Sequence, residues 1–95
     1  MTKVNFLGEE CSVRTERYAN GRPRISLICE DGSPMAIATV NIPEVEIPES
    51  TAFIKDYSEN EGMVQALQEA GVIGIKLTEV SIGYVNIGLY TLNIS

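Results

Sequence analysis

Ninety-five residues, 44% hydrophobic and 21% charged, give the composition of a single globular domain over 1–95 rather than a disordered chain. At this length roughly 60–65% of the unfolded surface is buried, which leaves room for one modest core but not for a second or for a deep substrate cleft. There is no histidine, so Ser-His-Asp and Cys-His nucleophilic sites are excluded and the commonest zinc ligand is missing.

The net charge of −6 is unevenly placed. Residues 1–29 carry Lys3, Arg14, Arg17, Arg22 and Arg24 against Glu9, Glu10 and Glu16; residues 30–95 carry ten acids against Lys55 and Lys76. No apolar run reaches the length of about 20 residues that spans a bilayer. The first residues lack the basic and long apolar segments of a signal peptide, so a cytoplasmic protein without membrane contact is expected.

In chain order, residues 10–18 and 24–30 predict a hairpin closed by Ala19-Asn20-Gly21, with Gly21 in the left-handed position. That register sets Glu16 opposite Arg24, Val13 opposite Leu27 and Cys11 opposite Cys29. One face then carries Cys11, Val13, Thr15, Ile25, Leu27 and Cys29. Pro23 has no N–H for a ladder, so the strand starts after it or lies at an edge. Asp31-Gly32-Ser33-Pro34 predicts a turn, and Met35–Ile42 one apolar strand. Pro43 and Pro48 bracket an extended or looped segment, followed by a short strand over Thr51–Lys55.

The period then changes. Met63, Ala66, Leu67 and Ala70 form one helical stripe, predicting a helix over 59–70. Ser58 and Glu61 have capping-box spacing, and Gly71 supplies the stop. Val72–Val80 and Tyr84–Leu92 predict two further strands, separated by Ser81-Ile82-Gly83. A slip of parity from Leu89 to Leu92 and Ile94 predicts a bulge near Tyr90. The expected fold is α+β: an antiparallel sheet of five to seven short strands with one helix packed on a face.

The densest chemical feature is acidic. Glu44, Glu46, Glu49, Asp56, Glu59, Glu61 and Glu69 fall within 26 residues, opposed only by Lys55. In an extended segment Glu44 and Glu46 project the same way, about 6.6 Å apart. Such a row imitates a phosphate backbone and fits a basic groove; the plainer reading is solubility and a helix dipole, which does not reach Glu44–Glu49. Arg14, Arg17, Arg22 and Arg24 form a second candidate, a phosphate-gripping set, although the predicted register divides them between faces. The plainer reading there is charge protecting a sheet edge. Glu59 and Glu61, two apart, do not face each other on a helix, which makes a poor metal site. Gly71 and Gly74 lack the following lysine of a phosphate loop. No metal or cofactor is expected, and Cys11 and Cys29 are expected as free thiols.

The runs Tyr18-Ala19-Asn20-Gly21-Arg22, Ile37-Ala38-Thr39-Val40-Asn41-Ile42-Pro43-Glu44 and Ile54-Lys55-Asp56-Tyr57-Ser58-Glu59-Asn60-Glu61-Gly62-Met63 carry a resemblance. Across most of residues 4–75 the chain is similar to a family of small proteins carried by bacterial plasmids, conjugative elements and phages. The family lends no activity and no catalytic residue. It implies a setting in which short acidic proteins antagonise host defences, CRISPR nucleases among them, by binding a protein surface. The leading expectation is therefore a non-enzymatic inhibitor that places Glu44, Glu46, Glu49, Asp56, Glu59 and Glu61 against a basic, nucleic-acid-handling surface of a defence enzyme. No nucleic acid is expected to bind the chain directly. The alternatives are a protein sequestering a nucleotide signal through the arginine hairpin and an interaction module of a mobile element.

Overall fold

The computed structural model describes residues 2–93. Among the described residues, eight strands, one short helix and one 3₁₀ turn make an α+β fold of two four-stranded antiparallel sheets. The strands are β1 (Lys3–Phe6), β2 (Glu9–Arg17), β3 (Pro23–Cys29), β4 (Pro34–Ile37), β5 (Thr39–Val40), β6 (Thr51–Ile54), β7 (Ile73–Ile82) and β8 (Val85–Leu92). The first sheet is ordered β1-β2-β3-β4 and the second β5-β6-β8-β7.

The β2–β3 hairpin has the expected register, including Cys11 opposite Cys29, Val13 opposite Leu27 and Glu16 opposite Arg24. Gly21 closes it at φ 86°, donating to the Tyr18 carbonyl, while the Tyr18 N–H donates to Arg22. Pro23 is the first residue of β3, paired with Arg17. On the inward face Cys11, Ile25 and Leu27 are buried and Val13 and Cys29 half-buried; Thr15, expected with them, is exposed although its partner Ile25 is buried. The short strand β1 was not anticipated. Its Val4 and Phe6 are buried and alternate with exposed Lys3 and Asn5.

Residues 35–42, expected as one strand, are two strands in different sheets. The Ala38 N–H donates to Ile25 of the first sheet, and its carbonyl accepts from Lys55 as β6 ends in the second. Buried Asn60 donates to the Ile37 carbonyl, and the Tyr18 hydroxyl meets Thr39, fixing the corner from both sides.

The helix α1 (Met63–Glu69) is shorter than expected, and Ser58–Asn60 forms the separate 3₁₀ turn. The capping box does not form: Ser58 lies at φ 54° and makes no side-chain cap. Gly62 precedes the helix at φ 95°, and Asp56 Oδ1 accepts instead from the N–H groups of Gly62 at 2.7 Å and Val64 at 3.5 Å. At the other end Gly71, at φ 76°, ends the helix as expected, and Val72 N–H closes onto the Leu67 carbonyl.

β7 and β8 meet at Gly83-Tyr84, with Gly83 first at φ 61° and Ile82 opposite Val85. The glycine supplies the positive φ that a two-residue connection of this twist requires. Two irregularities flank the Lys76–Tyr90 pair, so the expected bulge lies there, with the extra residues in β7. These bulges, with the Lys76–Glu79 ion pair, break the regular edge that β7 would otherwise expose. Ile94 of the expected stripe lies outside the described residues.

The described residues form two hydrophobic clusters where one core was expected. The larger lies between the sheets and under α1, joining Val4, Phe6, Ile25, Leu27, Ile54, Met63 and Leu67. The smaller lies on the opposite face of the second sheet and joins Ile42, Phe53, Ile87 and Leu89. β6 divides the two, which is why all four of its residues are buried: Ala52 and Ile54 face the larger cluster and Phe53 the smaller.

Cys11 and Cys29 are free. Burial, with the neighbouring Cys29 thiol, pushes the Cys11 thiol above its ordinary pKa. A thiol reagent should therefore label half-buried Cys29 before Cys11 in the native protein, and both after denaturation without reductant. Freshly purified protein with no titratable thiol would contradict this.

Candidate protein-binding surface

Residues 41–50 leave β5 and return to β6 across the smaller cluster, and burial alternates over residues 44–48. Val45 and Ile47 are half-buried against the cluster, whereas Glu44 and Glu46 are exposed, as is Glu49 beyond Pro48. The segment is a lid: it buries two aliphatic side chains over Phe53, and geometry turns the intervening carboxylates outward. The segment Glu44–Glu49, which no helix dipole reaches, thus has a structural role in its apolar half. The backbone and Val45 and Ile47 cover a core, and the carboxylates face solvent.

Arg22 holds the lid. Its guanidinium donates from Nη1 to the Ile42 carbonyl and from Nη2 to the Val45 carbonyl, each at 2.6 Å. A planar fork matches two carbonyls set by the local Val45-to-Ile42 backbone turn, and charged donors make short bonds. Asn20 reaches from the same hairpin loop to Asn41 at 3.1 Å. Farther along, Thr51 Oγ1 donates to Pro48, and Leu92 N–H to Ser50. The hairpin tip and two strands of the second sheet therefore fix both ends of the acidic segment.

The six acids do not form one row. Asp56, Glu59 and Glu61 follow β6 and Glu44, Glu46 and Glu49 precede it, so a strand about 13 Å long separates the groups. Within the second group Asp56 is engaged at the start of α1. Glu59 pairs with Lys55 at 2.8 Å, a contact that lowers its pKa and raises that of Lys55. Glu61 is exposed. The lid trio is the coherent part of the expected site.

The arginines are dispersed. Arg14 is exposed, and Arg24 lies on the same face of the hairpin, bonded to Glu16 at 2.9 Å. Arg17 donates to the Gly21 carbonyl, and Arg22 is taken by the lid. A single four-arginine phosphate grip is not assembled. Arg17 and Arg22 do line one side of an open groove of about 510 Å³, with Glu49, Ser50 and Thr51 across it.

The role of Arg22 went unread because its acceptors are carbonyls some 20 residues away. The alternation of Glu44, Val45, Glu46 and Ile47 is present in the sequence and marks Val45 and Ile47 as inward. Comparison with protein-family models, curated proteins and solved structures finds no match. Among the described residues, no helix is long and apolar enough to cross a membrane.

Proposed function

We propose that this is a non-enzymatic binding protein that presents Glu44, Glu46 and Glu49 to a basic, nucleic-acid-handling surface of a cytoplasmic bacterial defence enzyme, which it inhibits by occupying that surface. The observation that carries the reading is the Arg22 clamp across the lid, with Val45 and Ile47 inward and the carboxylates outward. A segment ordered before contact loses less conformational entropy on binding than a free loop. A CRISPR nuclease is the first candidate target, by analogy with the mobile-element setting that the sequence suggests. Asp56, Glu59 and Glu61 add negative potential from the far end of β6.

Reversing Glu44, Glu46 and Glu49 to lysine should leave the melting temperature close to that of the native chain, since all three are exposed. Binding to a basic partner should weaken mainly through slower association, and native affinity should fall as salt rises. The control is Arg14→Gln with Arg17→Gln, which leaves the Arg22 clamp intact and should spare binding. Unchanged binding by the glutamate variant, or binding indifferent to salt, would refute the proposal.

The groove beside Arg17 favours one second reading, a nucleotide signal held between the hairpin tip and the end of the lid. A rise in melting temperature with added nucleotide, lost in Arg17→Gln, would support that reading over the first.

A further inference from the structure

The lid covers only part of the outer face of the second sheet. Val80 and Val85 are half-buried at the margin of the smaller cluster. Beyond them lies Ile82, opposite Val85 and two residues from Val80, and hence on the same face. Ile82 is 47% exposed, and Tyr84 at the tip of the hairpin is fully exposed at 108%. An apolar strip thus runs outward from the edge of the lid to the end of the β7–β8 hairpin. The segments that form this face, residues 40–54 and 77–93, contain no lysine or arginine, and the lid contributes Glu44, Glu46 and Glu49. Lys55, next in sequence, is held by Glu59 and lies over the Tyr57 ring. Arg22 reaches the lid from the first hairpin but is occupied by the Ile42 and Val45 carbonyls, and among the described residues Glu44, Glu46 and Glu49 enter no ion pair, so apolar surface and net negative charge share one face.

We infer that this face docks a protein segment carrying an apolar side flanked by lysines or arginines, with Ile82, Val85 and Tyr84 receiving the apolar side and the lid carboxylates the basic flanks. The inference rests on the acidic-lid reading and adds the apolar half of the interface. Charge steers the encounter, while the exposed aromatic and aliphatic groups supply contact area that excludes water from it. A nucleic-acid mimic acting by charge alone would have no use for that strip.

The test uses two synthetic helical peptides of equal length and charge, one placing leucines between its lysines and the other serines. The intact native chain should bind the leucine peptide about fivefold or more tightly than the serine peptide in fluorescence anisotropy. In a variant with Ile82→Ser and Tyr84→Ser that preference should vanish, while affinity for the serine peptide and the melting temperature stay as in the native chain. Equal binding of both peptides by the native chain would overturn the docking strip while sparing the acidic reading. A leucine preference that survives the double substitution would also overturn it. Binding of neither peptide would count against both proposals. Self-association in sedimentation that disappears in the double variant would assign the strip to a second copy and overturn the basic partner. Reversal of Glu44 and Glu46 to lysine, read on the serine peptide, tests the charge half separately.

Discussion

Phe53→Ala should lower the free energy of unfolding by about 3–5 kcal/mol, a large share of the roughly 5–15 kcal/mol that holds a domain of this size. Phe53 is 1% exposed and is the largest side chain of the smaller cluster, between Ile42, Ile87 and Leu89. Removing the ring leaves a cavity that the lid fills only by moving, and Arg22 and the contacts at Pro48 and Ser50 resist that movement. The denaturant midpoint should fall with little change in its slope. Hydrogen exchange should rise most in residues 41–49, which have lost what they cover. A loss below about 1 kcal/mol would mean that the lid is not packed on Phe53 and would remove the basis for a preorganised acidic surface.

Leu67→Ala should cost about 2–5 kcal/mol through the other cluster. Leu67 is fully buried where α1 meets both sheets, and its carbonyl receives the Val72 N–H that turns the chain from helix to β7. The helix has only seven residues, too few to be stable without packing, so its stripe is what holds it. A loss below about 0.5 kcal/mol in denaturant melts would place the stripe toward solvent. In this variant the exchange pattern of the lid should stay near native until global unfolding, since β6 stands between the cluster of Leu67 and the lid. That contrast separates the two clusters experimentally.

The legible parts of the fold are those set by local chemistry. Asn20-Gly21 with its flanking alternation specifies the register of the first hairpin, with each strand lying one residue earlier than expected, and Gly71 specifies the helix stop. The stripe of Met63, Ala66 and Leu67 specifies the helix's buried side. Long-range bonds set what was missed. Nothing around Ala38 marks a corner, because the partners that divide β4 from β5 are Ile25 and Lys55. Ser58 and Glu61 have the spacing of a capping box, yet Asp56 reaches the helix start first. β1 is four residues long, and two alternating apolar positions are too few to signal a strand. The same division holds at the candidate surface. The carboxylates were apparent from composition, whereas the clamp, the lid and the bare apolar strip exist only once distant segments meet.

The corner at Ala38 also limits how this chain can vary in length. One residue serves the first sheet with its N–H and the second with its carbonyl, so the spacing from β4 to β6 is counted from a fixed point. Inserting a single residue there would keep β4 in register and turn β5 over, sending Val40 away from the cluster it packs against. The turn at Asp31–Ser33 joins β3 and β4 within one sheet and ends at the surface, so extra residues there form a longer loop and disturb little else. Natural variants should accordingly gain and lose residues at that tip and keep the distance across Ala38 constant, and a fusion tag placed within the chain belongs at Gly32.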